Sequence, residues 1–272
     1  MQITKIHTTG KDYIFCSGAG EDASSLARRL LDRRLGIGAD GLILTREAED
    51  GVTGLRLFSP DGAEVSASAS ALVAAAKFIY DGDNNKKIVP LRLGGVDYTV
   101  RMTVLGGRVI CVWVDMPRIK PKPMEQLKYY HGIRGEVLRA CMAHPRVSLY
   151  SLCGEHAVFL LESAVAVKRL AIHDVCTRLS EVLFYGEGID LHFVGVSGEN
   201  SLVMRSWRCG GCELASSGEG ATLAAYAAYE GELLDTERII VKTLGGSMCV
   251  DLDGQNASLC AKCETVFYGE AM

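Results

Sequence analysis

Two serines occupy the same place in two copies of one cassette, 149 residues apart. Glu64-Val-Ser-Ala-Ser68 opens a run of small residues that continues to Ala76, and Glu213-Leu-Ala-Ser-Ser217 opens another that continues to Ala225. Laid over each other without a gap, Glu64 meets Glu213, Ser68 meets Ser217 and Tyr80 meets Tyr229. A hydroxyl at the head of a helix has two uses. It caps the free N–H groups of the first turn, or it carries a proton. A serine hydroxyl is not ionised near neutral pH. A helix dipole supplies ~0.3–2 kcal/mol, whereas one pKa unit corresponds to ~1.4 kcal/mol. A serine base therefore needs a general base of its own. His7 and His156 are the candidates by repeat position. Glu219, two residues after Ser217, is either a proton carrier or a favourable charge in the first helical turn.

Cysteines are the other reactive group. Cys209-Gly-Gly-Cys212 and Cys260-Ala-Lys-Cys263 are two C-x2-C pairs separated by a long interval. Such pairs can hold zinc or form a redox disulfide. The second pair lies inside an expected strand, where alternation sends its two thiols to opposite faces. No metal is assigned. Zinc on Cys209, Cys212, Cys260 and Cys263 stands as an alternative to buried thiols, which behave as small hydrophobes.

The elements that must position these groups are read from periodicity. Strands are expected at Gln2 to His7 and Asp12 to Cys16, and a helix at Asp22 to Leu35, with Leu26, Leu30, Leu31 and Leu35 on one face. Short strands follow, with a turn at Pro60-Asp61-Gly62. The first small-residue helix covers about Ser68 to Tyr80, and two or three strands run from Ile88 to Val114. The proline-bearing stretch 117–146 reads as a boundary, with a short helix at Glu136 to Met142. The second half repeats the order: two strands, a helix at Asp174 to Leu183, two strands, the second small-residue helix to about Tyr229, and closing strands. The last is a single strand from about Ser258 to Tyr268. A helix apolar nearly all round is buried, and small residues let strands approach it closely. The expected fold is α+β in two pseudo-symmetric lobes, each a curved sheet wrapped around a central helix. The N-terminal lobe spans 1–117 with the C-terminal strand 263–272, and the C-terminal lobe spans 118–262. Two such lobes would form a cleft and offer it one serine-headed helix each.

Bulk properties narrow the class. The chain has 272 residues, 48% of them hydrophobic and 23% charged, with a net charge of −4. This balance gives no reason to expect nucleic acid or membrane as a partner. The N-terminus lacks the pattern of a signal peptide, and the cytoplasm is the expected compartment. Ten cysteines are therefore not expected to form a disulfide framework.

Arg29-Leu-Leu-Asp-Arg-Arg-Leu-Gly-Ile-Gly-Ala-Asp-Gly41, Phe58-Ser-Pro-Asp-Gly-Ala-Glu64 and Leu244-Gly-Gly246 resemble the diaminopimelate epimerase family, as do Lys5-Ile6-His7 near the start and Val266-Phe-Tyr-Gly269 near the end. The match covers the chain in order. The resemblance implies a two-lobed isomerase that needs no cofactor. One cysteine at a helix head takes the α-proton of an amino acid, and a second cysteine returns one on the other face. The positions matching those thiols are Ser68 and Ser217. The family's Gly-Asn-Gly is Ala69-Ser70-Ala71 here, and its second turn is Gly218-Glu219-Gly220. The substrate-binding positions that the resemblance carries over fall on Lys11, Ser70, Glu155, Asp190, Arg208 and Gly218. The expected partner is a small amino acid or related acid, and pairing into a homodimer is left open. Two functions follow: a divergent isomerase acting at an α-carbon, or a catalytically inactive homologue kept for binding or assembly.

Overall fold

The computed structural model describes residues 1–16, 22–47, 50–123, 146–182, 188–208 and 211–271. The chain divides into two compact units, Met1–Met116 with Leu259–Met272, and Pro117–Ser258.

In the first unit, strands β1 (Gln2–Thr8), β2 (Lys11–Cys16), β3 (Gly41–Glu47), β4 (Thr53–Phe58), β6 (Ile88–Leu93), β7 (Val96–Leu105) and β8 (Arg108–Met116) pair in that order. The C-terminal strand β18 (Cys263–Glu270) adds antiparallel to β1, and the two-residue β5 (Glu64–Val65) adds to β4. The joints β2–β3 and β4–β6 are parallel, the rest antiparallel. Helix α2 (Ala69–Gly82) touches β1, β2, β3, β7, β8 and β18, so the sheet curls around it. Its side chains explain why this is possible. Ala69, Ala71, Ala74, Ala75 and Ala76 are all buried, and none holds a strand backbone at arm's length. Helix α1 (Ala23–Leu31) lies on the other side of the sheet, packing Leu26, Ala27, Leu30 and Leu31 on Ile3, Ile14 and Leu42.

The second unit repeats the plan. Strands β9 (Lys120–Lys122), β10 (Arg146–Ser151), β11 (Glu155–Leu160), β12 (Asp190–Gly198), β13 (Ser201–Trp207), β15 (Arg238–Thr243) and β16 (Gly246–Asp253) pair in that order, with β14 (Glu213–Leu214) added to β13. The parallel joints recur at the same places, β11–β12 and β13–β15. Its buried helix, the counterpart of α2, touches β11, β12, β13, β15 and β16. This helix spans Gly218–Glu230 and is called α5 below. On the outer side, α3 (Ala164–Arg169) and α4 (Ile172–Val182) pack on Phe159, Phe193 and Val203.

Three details depart from the sequence reading. Helix α1 ends at Leu31 and not at Leu35. The Asp32 carboxylate accepts the backbone N–H groups of Arg34 and Leu35, which turns the chain and leaves Leu35 almost wholly exposed. Helix α3 was not expected at all. It is one short segment capped by Ser163, seated where a Cβ on Gly195 would fall 2.4 Å from the Ser163 carbonyl oxygen. The expected closing strand is two strands, β17 (Asn256–Ala261) and β18, interrupted at the exposed Lys262. Cys260 and Cys263, one on each side of that break, are both buried. The expected helix at 136–142 lies outside the described residues. Among the described residues, no helix is long and apolar enough to cross a membrane.

Candidate functional site

Both serines cap their helices. Ser68 has extended backbone (φ −169°, ψ 108°) and its Oγ accepts the N–H of Ala71 at 3.2 Å. Ser217 is extended (φ −143°, ψ 121°) and its Oγ accepts the N–H of Gly220 at 3.0 Å. Both are buried. The same side chain is thus placed twice by the same local physics: a short strand, an extended residue, and a helix of small residues that can be sunk into the sheet.

The short strands are pinned by a duplicated ion pair. Arg56 clasps Glu64 through Nε and Nη2 at 2.9 and 2.8 Å, and Arg205 clasps Glu213 at 2.6 and 2.9 Å. The arginines keep the 149-residue offset of the cassettes. The two copies differ in surroundings. Arg56 and Glu64 are about half exposed, whereas Arg205 and Glu213 are 16% and 24% exposed. Arg205 also donates to the Leu170 carbonyl at 2.7 Å, at the end of α3. Arg205→Ala is therefore expected to destabilise by about 3 kcal/mol, because it strands a mostly buried carboxylate. Arg56→Ala is expected to cost no more than about 1 kcal/mol. Urea unfolding of the two variants measures the contrast.

Beneath the first turn of α5 lies a buried polar chain. His192 on β12 sits opposite Ser206 on β13, and its Nδ1 is 2.9 Å from Ser206 Oγ. His192 Nε2 is 3.0 Å from Nδ1 of His156, whose Nε2 is 3.1 Å from the Leu152 carbonyl. A carbonyl only accepts. For neutral rings, this fixes every proton: His156 Nε2–H donates to Leu152, His192 Nε2–H donates to His156, and Ser206 donates to His192. Burial, with His156 adding to it, holds the His192 pKa well below its usual value. The unfolded chain then binds the proton more readily than the folded one. The resulting stability is fully present above the unfolded pKa of ~6.5 and is lost as pH falls below it. Calorimetric thermal midpoints taken from pH 7.5 down to 5 should fall, and the fall should shrink in His192→Asn.

His156 is thus not bonded to Ser217: both its ring nitrogens are engaged elsewhere. His7 is half exposed, 3.8 Å from Glu264, and is not bonded to Ser68. The partner of Ser68 is Tyr13, whose hydroxyl lies 3.1 Å from Ser68 Oγ with both groups buried. Ser216, next to Ser217, is buried with no partner for its hydroxyl among the described residues. Tyr13, Ser216, His192, Ser206, Arg56 and Arg205 all escaped the sequence reading.

The remaining expected residues fall as follows. Glu219 is half-buried in the first turn of α5, and Gly218 opens that helix, its carbonyl accepting from Thr222 at 2.9 Å. Ser70 is buried in the first turn of α2. Lys11 opens β2 after the positive-φ turn Thr9-Gly10, and Asp190 opens β12 beside His156. Glu155 is ion-paired with Lys122 on β9. Arg208 is exposed in the turn after β13, where its N–H donates to the Cys212 carbonyl at 3.0 Å. Among the zinc alternatives, Cys209 lies outside the described residues, Cys212 is exposed, and Cys260 and Cys263 are buried. Burial pushes the Cys263 thiol up to about 12 and keeps it protonated at neutral pH.

No protein-family model matches the chain. Similar curated proteins are diaminopimelate epimerases. That of Acetivibrio thermocellus is 27% identical over 263 residues, covering 94% of this chain and 92% of the relative. That of Methanococcus maripaludis is 26% identical over 283 residues, covering 99% of each. Among solved structures, a predicted epimerase from Pseudomonas aeruginosa aligns at a TM-score of 0.75 with 14% identity, over 100% of this chain and 99% of its own. A hydroxyproline epimerase from Agrobacterium vitis aligns at 0.64 with 13% identity, over 99% of this chain and 90% of its own. The fold shared with these structures is the diaminopimelate epimerase-like fold. The chain is thus similar in sequence to diaminopimelate epimerases along its length and shares its fold with solved epimerases, and it carries Ser68 and Ser217 at the heads of its two buried helices.

Proposed function

We propose that the protein is a cofactor-independent isomerase that moves a proton at the α-carbon of a small amino acid or related acid. Ser68 and Ser217 are the proton-handling groups. The observation that supports this most is the duplication: two buried serines head two small-residue helices, in a chain similar along its length to epimerases. Helix heads suit the chemistry, since N–H groups and the dipole favour a carboxylate there. Ser216 adds a second reason. A buried hydroxyl without a partner costs ~1–3 kcal/mol, and a polar substrate group beside Ser217 would relieve that cost.

The substitutions also shift the substrate away from diaminopimelate. Ala69 and Ala71 put methyl groups where the resemblance implies glycines, which narrows the approach to the backbone of α2. Glu219 brings a carboxylate to the first turn of α5. A substrate with one carboxylate, or with a cationic group near Glu219, suits this turn better than a dianionic one. The fact that both serines are already engaged as caps supports a second reading, a homologue without activity.

The test is inversion of single enantiomers, diaminopimelate included, followed by chiral chromatography with a chelator and a carbonyl-trapping reagent present. The first reading expects inversion of at least one compound under those conditions. Inversion that stops on chelation or trapping would refute cofactor independence, and no inversion at all would favour the second reading.

A further inference from the structure

A serine base needs a partner, and in the first unit a phenol lies within hydrogen-bond distance of the serine. Tyr13 lies on β2, directly across the parallel β2–β3 joint from Gly41. A Cβ on Gly41 would fall 3.0 and 3.1 Å from the Tyr13 ring, so the missing side chain makes room for the ring against β3. The phenol then reaches the head of α2, 3.1 Å from Ser68 Oγ. Tyr13 thus places a titratable hydroxyl against a cassette serine.

We propose that Tyr13 is the proton-supplying partner of Ser68, a positioning residue that acts through the serine; this rests on the reading of Ser68 as a proton-handling group. Ser68 Oγ already accepts the Ala71 N–H. If the Tyr13 hydroxyl fills its other acceptor site, the serine's own proton is left to point at a substrate carbon. The step then balances. As the α-carbanion takes the Ser68 proton, a C–H bond forms and the Ser68 O–H bond breaks. The Tyr13 proton passes to Ser68 Oγ, and a phenolate remains, hydrogen-bonded by the restored serine hydroxyl. The reverse sequence removes an α-proton. A phenol has a pKa near ~10, several units below an aliphatic alcohol, and each unit is worth ~1.4 kcal/mol. The relay therefore leaves the charge on the more acidic oxygen.

The experiment follows both inversion and α-deuterium wash-in, in D2O, for any amino acid the wild type acts on, with diaminopimelate and an amino-acid panel as the probes. Tyr13→Phe should lower inversion by ~10²-fold or more, with its thermal midpoint nearly unchanged. Wash-in from one enantiomer, whose α-proton Ser217 removes, should survive. For the enantiomer whose α-proton Ser217 removes, the alkaline fall of the wild-type rate, as Tyr13 ionises, should disappear in Tyr13→Phe and move to lower pH with 3-fluorotyrosine at position 13. The double variant Tyr13→Phe/Ser68→Ala should be no slower than Ser68→Ala alone. Tyr13→Phe retaining inversion within about twofold while Ser68→Ala abolishes it would overturn the relay alone. Wild-type protein that exchanges no compound overturns the reading of Ser68, and the relay with it.

Discussion

Ser217→Ala is expected to reduce α-proton exchange of the enantiomer that Ser217 deprotonates by ~10²–10⁴-fold, the usual contribution of a positioned acid–base group. Because Ser217 also caps α5 through the Gly220 N–H, the same change should cost about 1 kcal/mol of stability. The two roles can be separated. Asparagine is as good a cap as serine but has no hydroxyl, so Ser217→Asn should restore stability and not exchange. Ser217→Thr keeps both cap and hydroxyl and should retain most of the exchange. Wash-in kinetics beside urea unfolding of these three variants distinguish a proton carrier from a cap. Full exchange in Ser217→Asn would reduce the serine to a structural residue.

The second large effect is one of packing. Gly220 lies in the first turn of α5, and a Cβ there would fall 2.4 and 2.5 Å from Cε1 and Nδ1 of His192. The ring cannot swing aside freely, since one nitrogen holds Ser206 and the other holds His156, and all three are buried. Overpacking costs ~1–3 kcal/mol, and each hydrogen bond lost in relief adds about 1 kcal/mol. Gly220→Ala is therefore expected to destabilise by about 2–4 kcal/mol, read from the denaturation midpoint. Adding His192→Ala should return part of that loss, a coupling that a double-mutant cycle measures. Purely additive effects would mean that the ring is not what Gly220 accommodates.

These residues show what a single sequence carries. The two cassettes were legible because small residues and a heading serine are local signals, repeated in register. The same logic gave the central helices, the N-caps and most strands within a residue or two. It failed where partners are remote in sequence. Tyr13 on a strand reads as core, and only the β2–β3 pairing and the seat of α2 bring its hydroxyl to Ser68, 55 residues on. His192 reads as a lone histidine in an apolar strand, and its chain to His156 and Ser206 needs the sheet register. Arg56 and Arg205 carried a readable signal, the 149-residue offset, but sit outside the small-residue run. Helix α1 overran in the reading because Leu35 fits the apolar period, while the carboxylate of Asp32 competes for the backbone and wins.

Site chemistry was less legible than site position. The repeat pointed to two helix heads, and the structure shows each serine held by its own first turn. What each can do depends on neighbours. In the first unit the neighbour is a phenol. In the second, the nearby histidines are satisfied by one another and by Ser206 and Leu152, and Ser216 is the hydroxyl left without a partner among the described residues. The two heads are thus alike in backbone and unlike in chemistry, which suits an enzyme whose two proton transfers are not equivalent.

The most direct measurement is deuterium incorporation at the α-carbon of amino acids, diaminopimelate included, incubated with purified wild-type protein in D2O and read by proton NMR. An isomerase of this kind predicts loss of the α-proton signal for at least one compound, abolished in the Ser68→Ala/Ser217→Ala double variant. An α-proton signal that persists for every compound, or one lost equally with the double variant, would contradict it.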